Sequence, residues 1–359
     1  MPPPSPDTPP AGPPIGGFFG LEMPAPRGDG GLAAAWGVAG TALAWANASS
    51  ALAALVAAIR PGRVWLPGYI CAHFVAAVPA DLRRFFPLTP GFAPDLAALD
   101  GQLAPGDALL AVNMWGRAPG AAWRDFVAAN PQATFIEDCA QALDSGVAPW
   151  GDWRLYSPRK LLGVPEGGLL APVSARARAQ VPDIALPGAD GAGAGDPAAA
   201  LARLAPALAR AEAPAANHVW HPMNQAAEAA QAIGPAPMGR LARALLAATD
   251  PAPLVAARRD NYARLARALP DHELLGETAP GFAPAGFPVA LAPGRRAAVL
   301  ARLHGDRVFP AVHWAAIPAP PGFTADHARA ASLATLPVDH RLGAGDMARM
   351  AGLFRAALA

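Results

Sequence analysis

The sequence predicts an α/β protein, a mostly parallel sheet sandwiched by helices, with a smaller C-terminal α+β domain. Three observations predict it. Near-continuous apolar runs such as Ala108–Trp115 and Ala133–Cys139 are those of strands buried on both faces. Such runs alternate with alanine-rich helical stretches, the pattern of a sheet covered on both sides. Beyond about residue 236 the strand-like pieces become shorter and sparser, as in a second, smaller unit.

In chain order, Leu43–Ala48 reads as a strand leading into a helix over Ser50–Ile59. Arg63–Tyr69 and Arg84–Leu88 are further strands, then Ala108–Trp115, Ala133–Cys139, Trp153–Tyr156 and Gly168–Ala171. Residues 1–29 form a Pro-rich arm, 30–235 the large domain and 236–359 the small one. Residues 181–216, dominated by Ala, Pro and Gly, read as a flexible insertion. Helical pattern resumes over Met223–Ile233, Met238–Thr249 and Pro253–Ala268. In the last third, Phe287–Leu291 and Arg307–Val312 read as strands, and Arg295–His304, His327–Thr335 and Gly345–Ala357 as helices.

Composition narrows the function. The 359 residues carry 28 Lys+Arg against 27 Asp+Glu, a formal charge of +1, which argues against a nucleic-acid footprint or a polybasic membrane arm. The uncharged stretch Gly30–Ile59 is long enough for a membrane span but is broken by Trp45-Ala46-Asn47-Ala48-Ser49-Ser50, so it reads as strand and helix. The N-terminal residues lack the basic-then-apolar pattern of a secretory leader, and the expectation is a cytoplasmic protein. Two cysteines, Cys71 and Cys139, give neither a disulfide framework nor metal-ligand spacing, and no metal site is expected.

One number stands out. Of the 28 cations, 27 are arginine and one, Lys160, is lysine. A GC-rich coding bias accounts for the arginines. Arginine cannot be deprotonated in a protein, so Lys160 is the side chain available for amine chemistry. Around it lie Glu137-Asp138-Cys139-Ala140-Gln141-Ala142, Gly151-Asp152, Tyr156-Ser157-Pro158-Arg159-Lys160 and Glu166-Gly167-Gly168. The set suits pyridoxal phosphate. Lys160 supplies the amine for an imine, Asp138 at a strand end can pair with the pyridine nitrogen, and Gln141 can bond the ring oxygen. Ser157 and the Ala48-Ser49 step at a helix start can hold the phosphate. Taken singly, each has a plain structural reading: Asp138 a cap, Ser49 and Ser50 N-caps, the E-G-G a turn. His313 beside Trp314 can face a substrate or simply pack. Arg159 can meet an anion or point away. His73 and Trp115 read as structural.

The order E-D-C-A-Q-A, G-D, Y-S-P-R-K, E-G-G resembles the DegT-type aminotransferases, which are fold-type I pyridoxal phosphate enzymes. As in that family, the E-G-G glutamate falls six residues after the lysine (Glu166 after Lys160). Asn47-Ala48-Ser49-Ser50-Ala51-Leu52, Leu66-Pro67-Gly68-Tyr69, Met114-Trp115-Gly116, Arg258-Arg259-Asp260-Asn261-Tyr262 and Leu336-Pro337 extend the likeness. The resemblance implies a fold-type I protein that moves an amino group from an amino acid donor to a keto acceptor, many of the family acting on nucleotide-linked sugars. It implies that Lys160 and Asp138 are catalytic, and that Ala48, Ser49, Tyr69, Gln141 and Ser157 bind the cofactor. It implies a homodimer with the site at the subunit interface. Four residues after Pro67, where the family has a stacking aromatic, stands Cys71, and Tyr69 is the expected substitute. The S-x-x-K spacing instead resembles class I amino acid aminotransferases. A binding or regulatory protein on the same fold, or another reaction of the same cofactor, remains open at this point.

Overall fold

The computed structural model describes residues 23–38, 43–185, 197–276 and 279–359. Most of the expected N-terminal arm (1–22) and residues 186–196 of the expected insertion lie outside the described residues.

Eleven strands lie in the described chain: β1 Ala44–Trp45, β2 Val64–Pro67, β3 Arg83–Phe86, β4 Ala108–Val112, β5 Thr134–Asp138, β6 Asp144–Gly146, β7 Trp153–Tyr156, β8 Gly168–Pro172, β9 Gly281–Ala283, β10 Phe287–Ala290 and β11 Leu333–Leu336. Seven of them form one sheet in the order β1-β8-β7-β5-β4-β2-β3. Strands β3, β2, β4, β5 and β7 run parallel, while β8 is antiparallel to both its neighbours. All residues of β2, β4 and β5 are buried, which is why they read as apolar runs without alternation.

The helix Ala48–Ile59 starts where the Asn47 side chain accepts the Ser50 N–H at 2.9 Å, and it buries Leu52, Leu55 and Val56 on one face. A C-terminal pair, β10 and β11, is antiparallel and shares a core with the helices Pro251–Ala268, Arg296–Gly305 and Ala344–Leu358. Strands β6 and β9 form a third small sheet.

The structure departs from the sequence expectations at four places. Within 181–216, residues Pro197–Glu212 form a helix, because alanine has the strongest helix preference and this run holds seven alanines or more between its few breakers. It packs on a second helix, Asn217–Ala229. The helix expected over His327–Thr335 is Thr324–Ser332, and Leu333–Leu336 is strand β11, drawn out by its ladder to β10. Arg307–Val312 is not a strand: Arg307 is left-handed, Pro310 lacks the N–H a ladder needs, and only Ala311 bridges to Thr335. At β1 the expected strand shortens, and the helix after it begins at Ala48 rather than Ser50.

Candidate active site

Five loops leave the same edge of the sheet, at the carboxyl ends of β1, β2, β4, β5 and β7. That edge is where α/β sheets bind ligands. The loops carry Ala48-Ser49, Gly68-Tyr69, Asn113–Trp115, Asp138–Gln141 and Ser157–Lys160. Because β8 is antiparallel, its start brings Glu166-Gly167-Gly168 to the same edge.

Lys160 ends a single 3-10 turn, Pro158–Lys160, and its backbone N–H donates to the Ser157 carbonyl at 3.1 Å. The next carbonyl, Leu161 O, accepts from the buried Arg258 guanidinium at 2.7 Å. The Lys160 ammonium is exposed and lies 5.8 Å over the Phe74 ring centroid. Asp138 closes β5 and is buried, with Oδ1 accepting the Ala140 N–H at 2.8 Å. Burial pushes its carboxyl up to about 6, while the Lys160 charge and the Ala140 N–H pull the other way. Gln141 Oε1 accepts the Trp115 N–H at 2.8 Å, and its buried Nε2 has no partner among the described residues.

At the helix start, Ser49 is buried and its Oγ lies 2.6 Å from His73 Nδ1. His73 Nε2 lies 3.3 Å from the Gln231 carbonyl. Ser157 is buried next to the Lys160 turn. The meaning of the E-G-G motif is steric. A Cβ on Gly168 would stand 2.1 Å from Asn47 C and O, so only glycine lets β8 lie against the loop that starts the helix. Gly168→Ala is therefore expected to cost about 2 kcal/mol or more by forced backbone shift, measured as a lowered urea midpoint. An unchanged midpoint would show that the loop yields freely.

Glu166 is buried, accepts the Gly239 N–H at 2.6 Å and pairs with Arg203 on the helix Pro197–Glu212. Arg159 pairs with Glu228 at 2.8 Å on the helix Asn217–Ala229, so it is engaged away from the sheet edge. The two-helix unit is thus tied to the chain on both sides of Lys160. Tyr69 is fully buried, with its ring edge-on to Trp314 and its hydroxyl donating to the His313 carbonyl at 2.5 Å. Cys71 caps the short helix Ala72–Ala76. The ring nearest the Lys160 ammonium is therefore Phe74, which the sequence reading passed over, as it did the His73 contact to Ser49. Both sit on a helix too short to leave a periodic signal.

Many solved structures share this arrangement of elements, and three represent them. They are a DegT DnrJ EryC1 StrS aminotransferase from Brucella abortus (17% identical, covering 87% of this chain and 84% of that one, TM-score 0.58), NtdA from Bacillus subtilis with bound cofactor PMP (14%, 88% and 72%, 0.61) and the sugar aminotransferase CalS13 from Micromonospora echinospora (18%, 90% and 90%, 0.59). The fold is that of the DegT-type aminotransferases. No family model matches the sequence, and no curated protein matches it. In this fold the lone lysine follows the strand next to the one that ends in Asp138. Among the described residues, no helix is long and apolar enough to cross a membrane.

The raised Asp138 carboxyl has a stability consequence. Its folded value lies above the unfolded value near 3.9, so the unfolded chain holds fewer protons between pH 4 and 6. This group therefore costs nothing below pH 4 and its full penalty, roughly 3 kcal/mol, above pH 6. Asp138→Asn keeps an oxygen for the Ala140 N–H without the charge. In cofactor-free protein it is expected to raise the Tm at pH 8 and leave it unchanged at pH 4. A variant Tm equal to that of wild type at pH 8 counts against a destabilising Asp138 charge.

Proposed function

We propose that this chain is a pyridoxal phosphate-dependent aminotransferase that moves an amino group from an amino acid to a keto acceptor, a nucleotide-linked sugar. The observation that carries the reading is the setting of the lone lysine: Lys160 follows β7, which lies in the sheet between β5, ending in the buried carboxylate Asp138, and β8 and β1, the latter leading into the helix start Ala48-Ser49. The fold neighbours named as aminotransferases support it, as does a further neighbour, NtdA, with its bound cofactor PMP.

The residues present fit the cofactor. Gln141 Nε2 is a buried donor without a partner, placed to bond a ring oxygen. Asp138 can hold a proton on the pyridine nitrogen, and the low-dielectric setting strengthens that pair once a cation faces it. The Ala48 and Ser49 amides, at a helix start, and the Ser157 hydroxyl can bind the phosphate. When bound, pyridoxal phosphate supplies an aldehyde for the amine and a ring that withdraws electrons from the substrate carbon. The Lys160 amine would hold the aldehyde and, once freed by the amino donor, would move a proton at the substrate carbon. Arg258 keeps the Lys160 turn in place through the Leu161 carbonyl.

A homodimer belongs to this reading. The helix Asn217–Ala229 buries none of its residues, and Leu201, Leu208 and Val219 of the two-helix unit are exposed, apolar surface that a second copy would cover.

The test uses the composition. Reduction of the cofactor-loaded protein with borohydride, then cleavage after arginine, must place the pyridoxyl mass on the Lys160 peptide. The other amine of the chain is its N-terminus. A colourless protein with unmodified Lys160 after cofactor addition refutes the proposal.

A further inference from the structure

The Lys160 charge reaches two of the groups whose titration is displaced. One is Asp138 and the other is His313. His313 lies in the loop before the helix Thr324–Ser332 and is anchored on three sides. Its carbonyl accepts the Tyr69 hydroxyl at 2.5 Å. Its ring stands edge-on to Trp115 at 6.3 Å and to Trp314 at 6.1 Å. Its Nδ1 lies 3.0 Å from Thr335 Oγ1 on β11.

The protonation of that ring follows from the inventory of donors. Trp115 Nε1–H, a donor without a lone pair, donates to Thr335 Oγ1 at 3.0 Å. The Thr335 hydroxyl proton has one acceptor among the described residues, the lone pair of His313 Nδ1. With Nδ1 accepting that proton, the ring proton sits on Nε2. No hydrogen bond engages Nε2 among the described residues. Burial and the Lys160 charge lower the imidazole to about 4, so the ring stays neutral.

We propose that His313 is a specificity residue whose fixed Nε2–H donates to an oxygen of the keto acceptor when its reacting carbon is at Lys160. The Trp115–Thr335 relay is its positioning device, joining the end of β4 to β11 across the sheet edge. A neutral donor suits a hydroxyl or carbonyl oxygen of a sugar ring, and it cannot switch to an acceptor while Thr335 occupies Nδ1. This inference rests on the aminotransferase reading, and its test separates the two.

The first measurement needs no cofactor. In protein labelled with 15N-histidine at pH 7, the resonance missing from His313→Gln is expected to show a protonated Nε2 and an unprotonated Nδ1, and Thr335→Val is expected to mix the two tautomers. The second uses holoprotein and a TDP-linked 4-keto-hexose as acceptor. His313→Phe, which keeps a ring against Trp115 and Trp314, is expected to lower kcat/KM roughly 100-fold. His313→Gln, whose amide nitrogen can stand near the lost Nε2, is expected to stay within about 10-fold. Both variants should still give the borohydride adduct on Lys160. An Nδ1–H tautomer, or His313→Phe with wild-type kcat/KM, overturns the proposal. So does a wild-type protein that carries the adduct and leaves the keto-hexose unchanged. Absence of the adduct from wild-type protein instead removes the aminotransferase reading, and the tautomer still decides the state of His313.

Discussion

Lys160→Ala is expected to give a folded protein that cannot be labelled. The side chain is exposed and its ring contact among the described residues is the Phe74 face, so the Tm should stay within a few degrees of wild type. Under borohydride with pyridoxal phosphate, no pyridoxyl mass should appear in the 159–160 region. Transamination should fall by about 10⁴-fold or more, because in the proposed reading one residue would both hold the cofactor aldehyde and carry the proton. Lys160→Arg should fail equally, since a guanidinium keeps the charge and loses the nucleophile. Transamination retained in either variant would sink the assignment of Lys160, whatever else the protein does.

The second large effect is on stability. Glu137, next to Asp138, is fully buried and accepts from Asn113 Nδ2 at 2.9 Å, Trp150 N at 3.1 Å, and Arg154 Nε and Nη2 at 3.0 Å each. Removing one partner of a buried charge pair leaves the other uncompensated, which costs about 3–5 kcal/mol. Glu137→Ala strands the Arg154 charge and two further donors, so its urea midpoint should drop by that amount divided by the m-value. The double variant Glu137→Met with Arg154→Met should recover much of the loss, because no charge is then left behind. If the single variant unfolds like wild type, the network is ornamental to stability. The two carboxylates of E-D thus differ in kind: Glu137 is saturated with donors, and Asp138 keeps its burial partly unanswered.

The sheet was legible because its strands are buried on both faces. Trp153–Tyr156 matches β7 end to end, and β4 and β5 lie inside the expected runs. The positions singled out by chemistry lie at one sheet edge for the same reason, since each follows a strand that could be read. Legibility failed where long-range pairing overrode local preference. Leu333–Leu336 continues an alanine-rich helical pattern and becomes a strand because Phe287–Ala290 supplies its ladder. The alanines of Pro197–Glu212 were read as flexible filler and instead make a helix held by Arg203 to Glu166. Phe74 under Lys160, His73 beside Ser49, and the Trp115–Thr335–His313 relay have no local signature. The relay joins residues 220 positions apart, and nothing in either neighbourhood announces the other.

The outermost position of β1 sets a timetable. This strand leaves the ribosome first among the seven, yet among the described strands its sheet neighbour is β8, and Trp45 meets Gly168 there. The loop that follows is completed later still: Asn47 Nδ2 donates to the Ala232 carbonyl, Ser50 Oγ accepts the Gly234 N–H, and His73 meets the Gln231 carbonyl. The parallel strands β2, β3, β4, β5 and β7 can pair among themselves while that loop still waits for its partners. The Ala48-Ser49 cradle therefore closes only after the chain has been synthesised past Gly234, at the end of a search over non-local contacts that slows folding. Nascent chains that end between β7 and that point should carry paired β2, β3, β4, β5 and β7 and a helix start still open to solvent.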